Sequence, residues 1–132
     1  MWLVKTEPSD YSYDDLARVG RATWDGVTNP VALKNLRLMQ EGDRVLVYHT
    51  GDEKAAVGLA RVTRAAYPDP KSTNPKRVVV DLEPVGRLAQ PVTLARIKSL
   101  PAFADSPLVR QGRLSVVPLT ASQWALLERE AR

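Results

Sequence analysis

The sequence predicts a small α+β domain, a partly open β-barrel with a few helices packed on its side. Several short β-rich runs and a few helices follow one another in mixed order, without the regular βαβ alternation of a doubly wound sheet. No GxGxxG or GxxxxGK string is present, so no glycine loop for nucleotide phosphates is expected. The 132 residues fit one compact domain, residues 1–132, and the 44% apolar and 26% charged content is that of a globular chain.

The elements follow from local signals. Trp2 to Val4 reads as a strand that ends in the turn at Glu7-Pro8. Ser12, with Asp15 three residues on, forms a capping box for a short helix that Gly20 can close. A glycine-bearing loop, Thr23 to Thr28, leads to Asn29-Pro30, a cap residue followed by proline in the first helical turn. Ala32, Leu33, Leu36 and Met39 give that helix its apolar stripe, and Gly42 ends it. Val45 to Tyr48, Val57 to Val62 and Val78 to Leu82 are β-rich runs. The proline-rich stretch Tyr67 to Lys76 is expected to be an exposed loop. Thr93 to Leu100 reads as a helix stopped by Pro101, and Leu114 to Val117 as a last strand. Thr120 and Gln123 form a second capping box, opening a C-terminal helix through Trp124 and Leu127.

Composition excludes several chemistries. With no cysteine there are no disulfides, thiolate metal sites or thiol nucleophiles, and the lone histidine, His49, cannot build a multi-histidine zinc site. No metal or cofactor is expected. A triad would have to use His49, and no GxSxG nucleophile turn accompanies it, so an enzyme is not expected. The N-terminal residues lack the pattern of a signal peptide and no run spans a membrane, so a cytoplasmic monomer without a membrane partner is expected.

Binding is better supported. The net charge of +4 allows a polyanionic partner. Trp24, in a polar loop, either presents its face to a planar ligand or anchors the loop to the core; a stacked base is worth about 1–3 kcal/mol. Trp2 and Trp124 sit in apolar stretches and belong to the core. Lys5, Thr6 and Glu7 offer a donor, a donor/acceptor and an acceptor in succession, fit either to read a base edge or to form a surface ion pair. Lys71, Lys76, Arg77, Arg110 and Arg113 sit in loops, where they either follow a phosphate backbone or serve solubility.

The ordered strings WLVKTEPSDYSYDDL, TWDGVTN, VLVYHTG, VGLARV, AYPDP, NPK and RLSVVPLT resemble the EVE domain family, from Trp2 to about Trp124. The resemblance implies a PUA-like barrel flanked by helices, similar in fold to the YTH readers, with a pocket for one nucleobase. It implies recognition of modified bases in DNA or RNA rather than catalysis. Carried across, the base site would draw on Lys5, Thr6, Glu7, Trp24, Asp25, Asn29, His49, Thr50, Arg113 and Ser115. Trp24 would then be the stacking wall and His49 a donor, with Lys71, Lys76, Arg77 and Arg110 on phosphates. Where the family commonly reads WDGVRNYQARN, this chain has Thr28, Pro30, Val31 and Leu33 in place of an arginine, a tyrosine, a glutamine and a second arginine. Two further readings stand beside the reader: an RNA-binding module indifferent to modification, and a small hydrolase with Glu7 or His49 as base.

Overall fold

A computed structural model describes residues 1–132. Six strands form one mixed sheet: β1 (Trp2–Thr6), β2 (Ala22–Trp24), β3 (Arg44–His49), β4 (Ala55–Pro68), β5 (Val78–Thr93) and β6 (Val116–Pro118). Their order across the sheet is β2-β5-β4-β3-β1-β6. The sheet curls into a half-barrel, the open barrel expected. β1 runs parallel to β3, with Lys5 beside Tyr48 and Thr6 beside His49, and all other pairs are antiparallel. β1 and β3 lie inside the sheet and are covered on both faces, which is why their apolar runs are nearly unbroken.

Five α-helices complete the fold: α1 (Tyr13–Val19), α2 (Pro30–Leu38), α3 (Leu94–Lys98), α4 (Pro107–Arg110) and α5 (Ala121–Glu130). The expected N-caps fall where the sequence places them, whereas α2 stops at Leu38 with an extended Met39 as its C-cap, before the Gly42 expected to end it. Ser12 and Asp15 form a reciprocal box at α1, Asn29 Oδ1 accepts from the Val31 and Ala32 amides at α2, and Thr120 and Gln123 close a second box at α5. Gly20 ends α1 at φ 79°, in the left-handed region that glycine enters without a Cβ penalty. Trp2 and Trp124 are buried, as their apolar context predicts.

Three further features depart from the sequence expectation. Thr23 and Trp24, expected in a loop, belong with Ala22 to a short edge strand paired with Val80 to Leu82 of β5. β4 and β5 are much longer than their apolar runs, because register shifts near Gly58 and Ala60 let the ladder continue past Pro84 and Gly86. α4, begun at Ser106-Pro107, was not foreseen.

Tyr13 holds α1 to the sheet. Its side chain is 1% exposed; its hydroxyl donates to Leu59 O (2.6 Å) and accepts from Gly86 N–H (2.9 Å). Its own amide donates to His49 Nε2 (2.9 Å). Gly58 makes room for the ring, since a Cβ there would run into it. Gly58→Ala should therefore destabilise by about 1–3 kcal/mol through overpacking. Tyr13→Phe should cost about 1 kcal/mol through the lost bridge between β4 and β5. Both are read from urea unfolding midpoints.

Candidate functional site

The curl of the sheet brings the edge strand β2 across from the end of β1 and leaves a cavity of about 600 Å³ between them. That lies within the usual range for a small-molecule or single-residue site. Lys5, Thr6 and Glu7 form one wall, Asp10 and Tyr11 a second, and Thr23 to Val27 a third, with Ser115 closing one side.

Each wall is fixed locally. The turn after Glu7 is held by the Asp10 and Tyr11 amides, both donating to Glu7 O (2.9 Å). The Thr6 hydroxyl donates to Tyr11 O (2.6 Å), folding the loop back over the strand end. The Tyr11 ring meets Trp24 edge-on, with centroids 6.0 Å apart at 83°. Trp24 is only 7% exposed, so the two readings of this residue combine: it anchors β2 in the core and gives its remaining surface to the cavity.

Hydrogen bonds and burial set the charges of Glu7 and Lys5. Glu7 Oε1 accepts from the Ser9 amide (3.2 Å) and hydroxyl (3.0 Å), and Oε2 from Thr50 Oγ1 (3.3 Å). These bonds, the Ser9 amide foremost, hold its carboxyl below the usual glutamate range, so it is an anionic acceptor at neutral pH. Lys5 does not pair with Glu7. Its ammonium donates to Gly112 O (2.9 Å) and lies 5.6 Å from the Tyr48 ring centre, and burial lowers its pKa. Asp25 stands at the mouth, 3.7 Å from Lys71. With Glu7, Asp10 and Asp25 facing one lysine, the cavity favours a ligand edge rich in donors over a phosphate. No three acidic or histidine side chains come close enough to hold a metal ion.

The expected site residues divide. Lys5, Thr6, Glu7, Trp24, Asp25 and Ser115 line this cavity. His49 does not; it is 2% exposed, accepts from Tyr13 N–H through Nε2 and meets Glu53 through Nδ1 (2.7 Å). With Nε2 taken by an amide, the proton sits on Nδ1 and no lone pair is free for base chemistry or base recognition. Asn29 spends its carbonyl on the α2 cap and, with Arg110 and Arg113, lines a separate cavity of about 340 Å³. Thr50 lies behind Glu7 and opens onto a third, of about 190 Å³. Of the expected phosphate ligands, Lys71 faces Asp25 and Arg110 faces Asp105 (2.9 Å). The Lys76 carbonyl accepts from Arg37 (2.7 Å), and half-buried Arg77 donates its amide to Asn74 O. Asp10 and Tyr11 were missed, although the run Ser9-Asp10-Tyr11 directly after Glu7-Pro8 could have marked a loop folded over the strand end.

The EVE domain model matches residues 1–130. The chain belongs to the EVE domain family. This EVE domain is 42% identical to a solved protein of Rhodopseudomonas palustris, covering 98% of this chain and 91% of that one with a TM-score of 0.92. Human thymocyte nuclear protein 1 is 29% identical over 93% of this chain and 70% of its own length. Human THYN1 protein, solved in complex with 5-methylcytosine containing DNA, is 28% identical, covering 99% and 96% of the two chains with a TM-score of 0.90. The four departures from the common family string fall outside the main cavity. Thr28 and Pro30 are exposed, Val31 borders the second cavity, and Leu33 is core at 4% exposure.

Because the Glu7 carboxyl is lowered in the folded state, its stabilising contribution is complete above the ordinary glutamate range and is lost as pH falls through the lowered value. Ser9→Ala combined with Thr50→Val removes both hydroxyl donors but keeps the Ser9 amide, and should move it part of the way back up, read by carboxyl ¹³C NMR titration. The stability gap between this variant and the wild type should close in acid.

Proposed function

We propose that this EVE domain is a nucleic-acid reader that takes one unpaired or flipped nucleotide into the cavity and performs no chemistry on it. The observation that carries the reading is the combination in one cavity of an aromatic wall, Trp24 and Tyr11, with an ionised Glu7 acceptor and a half-buried Lys5 donor. A base with an exocyclic amino group, cytosine or adenine, suits this set, because a carboxylate accepts from the amino group and the ammonium donates to a neighbouring ring acceptor. Lys5 spends one N–H on Gly112 O and keeps two for a ligand. The DNA complex of the human relative, with its 5-methylcytosine, supports the same class of ligand.

Discrimination of a methyl group rests on apolar contact alone, worth about 0.8 kcal/mol or roughly fourfold in affinity. The absence of chemistry is supported by His49, whose ring nitrogens are both engaged, and by Glu7, whose lowered pKa makes it a weak base.

The test is fluorescence anisotropy with single-stranded DNA nonamers carrying a central 5-methylcytosine, cytosine or thymine. The expected order is 5-methylcytosine over cytosine by roughly fourfold. Thymine, lacking the amino group, should be weaker than cytosine by about 1–3 kcal/mol. Glu7→Gln should shrink the gap between cytosine and thymine while leaving the fold intact, and Trp24→Ala should weaken all three strands. Equal binding of the three strands, unchanged by Glu7→Gln, would overturn the reading.

A further inference from the structure

We propose that the groove between the Thr50–Lys54 turn and α3 carries the phosphodiester chain as it leaves the base cavity, with Lys5, Lys54 and Lys98 as its cationic contacts. The inference rests on the base reading above and extends it to the path of the strand.

The groove is the third cavity, of about 190 Å³, and Lys5 lines both it and the base cavity. The two spaces differ in sign. The base cavity presents three carboxylates against one lysine, whereas the groove is lined by three lysines and no acid. A nucleotide has a neutral, hydrogen-bonding base and an anionic backbone, so it fits across that boundary in one orientation only. The groove floor of Tyr48, Leu94, Leu108 and Val109 is largely apolar, as suits a sugar face, and the lysines stand with Gly51 and Thr50 around it.

The acids nearest in sequence are engaged. Glu53 meets His49, and the Glu7 carboxylate, which stands behind Gly51 on the side of the base cavity, accepts from Ser9 and Thr50. Lys5, Lys54 and Lys98 form no ion pair, while Lys71 and Arg110 each face a carboxylate, at 3.7 Å and 2.9 Å. The paired cations have part of their charge offset by an exposed carboxylate, a weak effect, whereas the groove lysines have no acid among the residues that line their groove.

The backbone sets these lysines in place. Gly51 at φ 74° and Lys54 at φ 46° both occupy the left-handed region, which is unusual for lysine and gives the turn its shape. Lys54 O accepts from Leu94 N (2.8 Å), tying the turn to the first residue of α3. Lys98 lies four residues further along that helix, on the face that Leu94 presents to the groove.

The experiment measures affinity for the same nonamers over a range of salt concentrations. Lys54→Gln/Lys98→Gln removes two charges from exposed positions while leaving a polar side chain at each, and a thermal melt checks the fold. The slope of log K against log salt should flatten by about 1.4, from two phosphate contacts on a single strand. Affinity at low salt should fall at least tenfold for all strands alike, with the preference for 5-methylcytosine kept. A wild-type slope in this variant overturns the proposal, as does the same loss appearing instead in Lys71→Gln/Arg110→Gln. A flattened slope without any base preference sinks the base reading and leaves the track standing; base preference with an unaltered slope does the reverse. A wild-type protein that shows no salt-dependent binding overturns both.

Discussion

The fold turns on one buried phenol. Tyr13 opens α1, and from that position its amide reaches the end of β3 while its hydroxyl spans β4 and β5. The long strands shift register around Gly58 and Leu59, so the bridge stands where the sheet's own ladder is irregular. It also fixes the start of α1, and with it the preceding loop, whose Glu7, Asp10 and Tyr11 form two walls of the cavity. The amide bond from Tyr13 explains His49 as well. The imidazole stands at a strand end, where a site residue is expected, yet it serves as an acceptor for a helix terminus.

A second constraint is electrostatic. The cavity beside β2 is lined by three carboxylates and one lysine, and the groove beside α3 by three lysines and no acid, so the surface changes sign between two neighbouring spaces. Lys5 marks that change. It emerges from β1 between the acid-lined cavity and the basic groove, and its hydrogen bond to Gly112 O fixes the ammonium between them. The modest net charge of the chain conceals this arrangement, because pairs such as Arg87–Asp14 and Arg96–Glu130 account for much of the charge elsewhere on the surface.

Much of this molecule was legible in the sequence wherever the determining interaction closes within a few residues. The Ser12/Asp15 and Thr120/Gln123 boxes, the Asn29-Pro30 start and the Gly20 stop all formed as their spacing requires. β5 was harder to see. Its Pro84, Gly86 and Pro91 signal turns locally, and only pairing with β4 through bulges carries the strand beyond them. β2 was hidden for a related reason, since three residues take strand form only because β5 offers them a partner.

By itself, the sequence determined the class of fold, the caps, the core tryptophans and, through its ordered strings, the family. These depend on neighbours in the chain or on pattern. Tertiary structure alone decided which polar residues share a cavity. It placed Lys5, Glu7, Trp24 and Ser115 together and sent Asn29 to a cap and His49 to an amide. It also decided which cations are free, because an ion pair depends on approach in space: Lys71 found Asp25, whereas Lys54 and Lys98 faced an acid-free groove. A side chain's chemistry is written in its residue type, but its partner is set by how distant segments fold against one another.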